Sequence, residues 1–321
     1  MAILVTGGAG FIGSHLVERL AARGERIVVV DDFNDYYSPK LKRANAALVK
    51  SSGDVTIVEG DVRDARLLAK ILGESRISRL IHLAGRAGVR PSLLDPLLYA
   101  DVNIKGTLTL LEAARAHGVL NFTFASSSSV YGVSRDVPFR EDARADTPAS
   151  PYGASKRAAE LLIYNYHCLY GLRAACLRFF TAYGPRQRPD MAIHKFTKAI
   201  FSGQPIPFFG DGTSARDYTY IDDIIDGVVA AAYSDFGYEI LNLGDSRPVT
   251  LSDMVDAISA AVGRPPILDR QPDQPGDVPI TYADISKAGR LLGFRPKVPF
   301  QEGIRRFVAW YKEARTEGLV D

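Results

Sequence analysis

AILVTGGAGFIG, residues 2–13, is a short apolar run interrupted by glycines at 7, 8, 10 and 13 and continuing into a helical pattern. Its first five residues have the continuous apolar character of a strand buried on both faces. The glycines satisfy GxGxxG (8, 10, 13) and GxxGxxG (7, 10, 13) together. Such a turn lets backbone approach a pyrophosphate, packs helix closely on strand, and aims the helix N-terminus at the anion. A glycine-rich turn without a ligand is the plainer alternative. The position between a strand and a helix, at the start of a βαβ unit, favours the nucleotide reading.

Working outward, apolar runs at 2–6, 26–30, 55–59, 79–83, 121–126 and 173–179 alternate with helical patterns at 11–23, 65–73, 99–117 and 152–170. This alternation predicts an α/β fold with a doubly wound parallel sheet. Beyond Gly184 proline becomes frequent, while helical patterns persist at 191–202, 222–234, 251–262, 285–292 and 301–314. The expected division is a dinucleotide-binding domain over 1–180 and a smaller α/β substrate domain over 181–321, with later segments free to cross back. The linker is expected near 181–189.

The composition narrows the partners. The 321 residues carry 39 Lys+Arg against 37 Asp+Glu, a net charge of +2, which argues against a broad nucleic-acid face. Cys168 and Cys176 are too few for a disulfide framework and suggest a reducing, cytoplasmic setting. No apolar run reaches the roughly 18 residues of a membrane span, and the start of the chain lacks the basic region of a signal peptide. The five histidines and two cysteines show no metal-ligand spacing.

The second apolar run ends in Asp31, 18 residues beyond Gly13. A carboxylate there accepts from the adenosine ribose hydroxyls and repels a 2′-phosphate, which predicts NAD rather than NADP. Asp32 and Asn34 share this position, or serve only as turn residues. Asp61, in Gly60-Asp61-Val62, follows the third run and is placed to meet the adenine edge; capping of the helix from Ala65 is the alternative. With Gly7, Gly10, Phe11, Ile12 and Gly13, these residues form the expected cofactor site.

Tyr152 and Lys156 stand i, i+4 on a helix opened by Pro151, so their side chains share one face. A tyrosine near pKa 10 must fall by about 3 units to act as a base at neutral pH, roughly 4 kcal/mol of preference for the phenolate. Lys156 and a positively charged nicotinamide are expected to supply it. About 25 residues earlier lies Ser126-Ser127-Ser128-Ser129-Val130-Tyr131-Gly132, at the end of a strand, where open α/β sheets bind ligands. Alone the serines read as a polar turn; with Tyr152 and Lys156 they read as catalytic.

GGAGFIGSH (7–15), GDVRD (60–64), HLAG (82–85), SSSSVYG (126–132) and YGASK (152–156) together resemble the extended short-chain dehydrogenase/reductase family, the NAD-dependent epimerases and dehydratases. The resemblance implies a Rossmann-type fold, bound NAD, and a catalytic set of Ser127, Tyr152 and Lys156. It further implies that Leu83, Ala84 and Gly85 line the cofactor side, and that Asn103 and Phe179 line the cofactor or sugar pocket. Relatives carry an Asp-Glu pair, or a second-position Glu, where this chain has Ser128 and Ser129; those acids serve sugar dehydratases and decarboxylases. Their replacement leaves reversible oxidation at C4, which is epimerisation.

DDFNDYYSPKLKRAN (31–45) and RFFTAYGPRQRPDMA (178–192) are similar to segments of the UDP-glucuronate 4-epimerases within that family, and HLAGRAGVRPS (82–92) and RDYTYIDD (216–223) extend the likeness. A glucuronate carboxylate calls for an arginine fork or convergent hydroxyls. Arg188, Thr181, Ser128 and Arg186 are the candidates; for the arginines, a phosphate contact or a tie between the domains is the alternative. Arg216, Tyr218 and Asp277 match diphosphate, uridine and ribose contacts of relatives. The arginine that many relatives carry three residues before that acid is Gln274 here, with Arg270 as a possible substitute. Thr281 stands where some epimerases carry a bulky tyrosine, which keeps UDP-N-acetylglucosamine and UDP-glucose as alternative substrates. A non-catalytic NAD-binding regulatory protein is the distant alternative. His82 and His15 are expected to pack or hydrogen-bond rather than catalyse. As in relatives, the helices near 99–117 and 152–170 are expected to pair two copies into a homodimer.

Overall fold

The computed structural model describes residues 1–272 and 278–321. The first half builds β1 (Ala2–Thr6), α1 (Phe11–Ala21), β2 (Arg26–Asp31), α2 (Pro39–Ser51), β3 (Val55–Glu59), α3 (Ala65–Ser75) and β4 (Ile77–His82). There follow the short α4 (Val89–Leu94) and α5 (Pro96–Tyr99), a π-helical turn at Ala100–Lys105, α6 (Gly106–Ala116), β5 (Asn121–Ser127), α7 (Pro151–Tyr170) and β6 (Arg173–Phe179). The rest contributes β7 (Thr181–Tyr183), α8 (Ala192–Ser202), β8 (Pro205–Phe209), β9 (Ala215–Tyr220), α9 (Ile221–Tyr233) and β10 (Tyr238–Leu243). It closes with β11 (Pro248–Thr250), α10 (Leu251–Val262), β12 (Ile267–Gln271), β13 (Ile280–Thr281), α11 (Ser286–Leu292) and α12 (Phe300–Thr316).

The central sheet has seven strands in the order β10-β6-β5-β4-β1-β2-β3, every neighbouring pair parallel. The order reverses beside β1, so the crevice for a dinucleotide opens where the chain switches direction. Alternate residues explain the two covered faces. Ile3, Val5, Ile27 and Val29 pack with Leu16 and Val17 of α1 and Ile221 and Val228 of α9. Ala2, Leu4, Val28 and Val30 pack with Leu68 of α3, Leu110 of α6 and Ile163 of α7.

Two elements lie outside the segments that the sequence marks. Residues 39–51 form α2, started by Pro39 and burying Leu41, Ala46 and Val49 at helical spacing. The seventh strand, β10, crosses back from the second half and pairs with all of β6, Tyr238 opposite Ala174 through Leu243 opposite Phe179. The remaining strands are small: β9 pairs with β7, β11 and β13, and β8 with β12. β7 starts two residues after β6 ends, which puts β7 and the β9 paired with it at the carboxyl end of the central sheet.

Candidate active site

A cavity of about 440 Å³ runs from the glycine turn across the carboxyl ends of β1, β2, β4 and β5 to the connection after β7. It is lined at one end by Gly7, Gly10, Phe11, Ile12, Gly13, Asp31, Asp32, Asn34, Asp61 and Val62, and beside them by Leu83, Ala84 and Gly85. At the other end lie Ser127, Ser128, Tyr152, Lys156, Phe179, Thr181 and Arg188. The fold therefore brings most of the predicted residues to one space, although they span 182 positions from Gly7 to Arg188 counted inclusively.

The glycine turn fits a pyrophosphate. Gly7 has φ +73°, a left-handed conformation, and a Cβ there would sit 2.7 Å from the Ala84 nitrogen. A Cβ at Gly13 would lie 2.1 Å from the Gly7 carbonyl oxygen, so only glycine lets α1 pack this close to the turn. No side chain caps the N-terminus of α1, leaving its first amides directed toward the cavity. Asp31 is buried, and its two carboxylate oxygens accept from the Ala9 and Phe33 amides, each at 3.0 Å. Burial pushes its pKa up, against the pull of Lys42 and those two amides. Each oxygen retains a lone pair for a ribose hydroxyl. Asp61 is held by Arg63, whose Nε donates at 3.0 and 3.1 Å, and this bonding lowers its pKa.

The catalytic end is built on α7 and β5. Ser150 caps α7 by accepting from the Gly153 amide at 3.1 Å, and Pro151 pre-sets the first turn. Tyr152 and Lys156 then project together into the cavity. Burial raises the Tyr152 pKa; the Ser127 hydroxyl and the charge of Arg188 pull it down. Lys156 is buried, donates from Nζ to the Ala125 carbonyl at 2.8 Å, and lies over the Phe124 ring. Its pKa falls to about 8 because burial penalises the ammonium, with the Glu160 carboxylate opposing. Behind it Glu160 accepts from Ser126 Oγ at 2.6 Å, Arg178 Nε and Nη2 at 2.9 Å, and Arg157 Nη1 at 3.0 Å. Ser127 Oγ accepts from the Ser129 amide at 3.1 Å, which fixes the serine at the end of β5. The side chains at 128 and 129 are hydroxyls lining the cavity, with no carboxylic acid at either position.

Several predicted residues lie elsewhere. Asn103 does not line the cavity: its amide accepts from the Arg86 backbone N–H at 2.8 Å and donates to the Arg86 carbonyl and Ser155 Oγ, each at 2.9 Å. These bonds brace the loop after β4. Arg186 adopts φ +66°, and its guanidinium contacts His15 and Glu18 on α1. It is a tie between the halves of the chain, the alternative reading. Tyr218 packs among Tyr183 and Phe300 in the core, with burial raising its pKa to about 12. Arg216 donates to the Ala215 carbonyl at 3.0 Å and does not line the cavity. Arg270 lies over the Phe208 ring, away from the cavity as well. Asp277 and Gln274 lie outside the described residues.

His82 bridges Thr6 Oγ1 (2.7 Å) and Thr107 Oγ1 (3.0 Å) in full burial, which drives its pKa down to about 3 and keeps it neutral. His15 is likewise lowered to about 3, by burial and by Arg186. Both are packing groups. Among the described residues no cluster of three His, Cys, Asp or Glu side chains is arranged to hold a metal ion.

The motif reading passed over Tyr36, Lys42, Arg86 and Asp190. The first three line the cavity, and Asp190 grips Arg188, its Oδ1 accepting from Nε at 2.9 Å and Oδ2 from Nη2 at 3.0 Å. Two of them, Tyr36 and Lys42, fall within 31–45, and Asp190 within 178–192. Their signal was the length of those segments and no local spacing.

The sequence profile of the GDP-mannose 4,6 dehydratase family matches residues 4–307. UDP-glucuronate 4-epimerase of Thermodesulfobacterium geofontis is 44% identical over 311 residues, covering 97% of this chain and 96% of that protein. The crystal structure of UDP-glucuronic acid 4-epimerase from Bacillus cereus, in complex with UDP-glucuronic acid and NAD, superposes with a TM-score of 0.91 at 36% identity, over 98% of this chain and 99% of that one. UDP-glucose 4-epimerase of Thermotoga maritima, with UDP-glucose, gives 0.88 at 32% identity, over 98% and 100%.

Proposed function

The chain belongs to the NAD-dependent epimerase/dehydratase family whose GDP-mannose 4,6 dehydratase profile it matches, and from that membership we propose that it is an NAD-dependent UDP-sugar 4-epimerase acting on UDP-glucuronate to give UDP-galacturonate. One observation carries the substrate choice. A single cavity holds Ser127, Tyr152 and Lys156 together with a half-buried arginine, Arg188, while positions 128 and 129 carry no acid.

NAD fits the other end of that cavity, where Gly7 and Gly13 leave room for backbone alone and Asp31 offers lone pairs to ribose hydroxyls. Bound there, it supplies the acceptor that takes the sugar C4 hydride and returns it. The chain's own residues handle the proton and the sugar. Tyr152, with Ser127 in the same cavity pulling its pKa down, takes the C4 hydroxyl proton as the ketone forms and gives it back when the opposite face is reduced. Lys156, fixed by the Ala125 carbonyl, keeps a positive charge beside the reacting centre. Arg188, Thr181 and Ser128 hold the C6 carboxylate, and Arg188 is the group of this set that brings a full charge. The oxidised sugar is a β-keto acid, which loses CO2 most readily when the C5–C6 bond lies parallel to the carbonyl π orbitals. A carboxylate held at a fixed angle resists that geometry. Hydroxyls at 128 and 129 cannot donate the proton that elimination needs at neutral pH.

The division near residue 180 separates an NAD-binding half from a nucleotide-sugar-binding half, with β10 crossing back. Homodimerisation through α6 and α7 is supported by the exposed apolar side chains Leu108, Leu161, Leu169 and Tyr170. Operation in the cytoplasm is supported by the two free thiols, Cys168 and Cys176. No helix among the described residues is long and apolar enough to cross a membrane.

A neutral hexose, as in UDP-glucose, is the competing reading, favoured by the existing pair between Arg188 and Asp190, which balances the cation without a substrate acid. The test is incubation of the purified protein with UDP-glucuronate, UDP-glucose and UDP-N-acetylglucosamine without added NAD, with products identified by NMR. UDP-galacturonate is expected as the dominant product. A pentose product would point to a decarboxylase, and turnover of UDP-glucose alone would overturn the substrate choice. Arg188→Ala should depress turnover of UDP-glucuronate far more than of UDP-glucose.

A further inference from the structure

We infer that Asp190 is a specificity-determining and positioning residue: an internal carboxylate that occupies one edge of the Arg188 guanidinium, fixes its free edge toward the cavity, and sets how strongly the site distinguishes an acidic from a neutral sugar. The inference rests on the proposed substrate reading and deepens it.

Arginine has five N–H donors in a rigid plane. Asp190 takes the side edge, through Nε and Nη2, in a bidentate pair. Among the described residues no hydrogen-bond partner is found for Nη1, and Arg188 lines the cavity. The free end of the fork is therefore the part that meets a ligand. Asp190 is itself anchored: its Oδ2 accepts from Tyr36 Oη at 3.2 Å, and the Tyr36 ring lies beneath the Arg188 guanidinium at 5.5 Å from the centroid. Tyr36 comes from the loop after β2 and Asp190 from the connection before α8, so this cluster joins the two ends of the cavity wall.

Charge balance gives the consequence. With Asp190 in place, the Arg188 pair is neutral before any sugar arrives. A neutral hexose then leaves no bare cation in a desolvated site, and a hexuronate adds one net negative charge. Without the Asp190 charge, the order changes: a hexuronate meets an uncompensated guanidinium, and a neutral hexose leaves it unpaired. Asp190 thus trades ground-state attraction for a fixed fork. Its loss should tighten hexuronate binding while slowing turnover, because the guanidinium can follow the carboxylate into unproductive poses.

The experiment uses the NAD-loaded full chain. Dissociation constants for UDP-glucuronate and UDP-glucose are measured by calorimetry in Tyr152→Phe, which cannot turn over, with and without Asp190→Asn. The ratio Kd(UDP-glucose)/Kd(UDP-glucuronate) should rise about tenfold on adding Asp190→Asn. In the chain with Tyr152 intact, Asp190→Asn should lower both KM and kcat for UDP-glucuronate. Asp190→Glu, which keeps the charge, should hold the ratio within about twofold of the parent. Asp190→Ser carries the same expectation as Asp190→Asn and replaces it if the amide fails to retain NAD. Equal weakening for both sugars, or an unchanged ratio, overturns the inference while the substrate reading stands. If the parent does not turn over UDP-glucuronate at all, the substrate reading itself fails, and the inference with it.

Discussion

Glu160→Gln should lower the thermal midpoint of the protein by about 6 °C. Glu160 is fully buried and accepts four hydrogen bonds, three of them from the guanidinium groups of Arg178 and Arg157. Arg178 is only 1% exposed, so it cannot reach water when its partner is lost. The replacement amide presents its NH2 to at least one guanidinium, which sets donor against donor. Breaking a buried pair from one side costs about 4 kcal/mol. For a chain of this length, unfolding entropy at the midpoint is about 0.7 kcal/mol/K, and the quotient is about 6 °C. Differential scanning calorimetry of the NAD-loaded protein measures it. Glu160→Met combined with Arg178→Met is the control: with both charges gone it should recover most of the loss. A fall of less than about 2 °C for Glu160→Gln, or a double variant no better than the single one, would refute the reasoning.

Gly13→Ala should yield protein without bound NAD, read by the absorbance of extracted cofactor, because its Cβ would overlap the Gly7 carbonyl at 2.1 Å. A pH profile of kcat should fall on the alkaline side near pH 8, where Lys156 loses its proton, and in Lys156→Arg the residual activity should show no such limb. For folding the sign is separate. The folded pKa of Lys156 lies below its ordinary 10.5, so this group favours folding fully above that value and loses the contribution as pH falls through about 8. Leu161→Arg with Leu169→Glu should abolish the proposed pairing of two copies through α7, on which both side chains stand exposed; light scattering that finds the same mass for parent and variant would refute that interface.

What the sequence made legible was whatever its local spacing encodes. Glycines three and six residues apart impose a turn, an i, i+4 pair shares a helix face, and an acid closing a strand points along the crevice. Irregular chain carries no such rule. Arg186 and Arg188 look equivalent two residues apart, yet the positive φ at Arg186 turns one guanidinium back onto α1 while the other enters the cavity. Asn103, which likeness alone assigns to the pocket, has no spacing rule to orient it. It sits in a π-helical turn that aims its amide at the backbone of Arg86. β10 pairs with a strand about 65 residues earlier, a partnership that no local pattern announces.

The same distance between motif and geometry bears on how the base is activated. Lys156 Nζ spends one of its three donors on the Ala125 carbonyl, and beside it Ser127 and then Arg188 also pull the Tyr152 pKa down. The arginine assigned to the substrate carboxylate thus also favours the phenolate. These two uses compete. A hexuronate bound to Arg188 cancels part of its charge, whereas a neutral hexose leaves that charge acting on Tyr152. In complex, Tyr152 should therefore titrate higher with UDP-glucuronate than with UDP-glucose, and the acid limb of kcat should lie at higher pH for the acidic sugar. Asp190 adds the same fixed charge to both complexes, so Asp190→Asn should move both limbs to lower pH and leave the gap between them. Coincident limbs for the two sugars in both proteins would mean that Arg188 does not reach the base, and would return its activation to Lys156 and the nicotinamide.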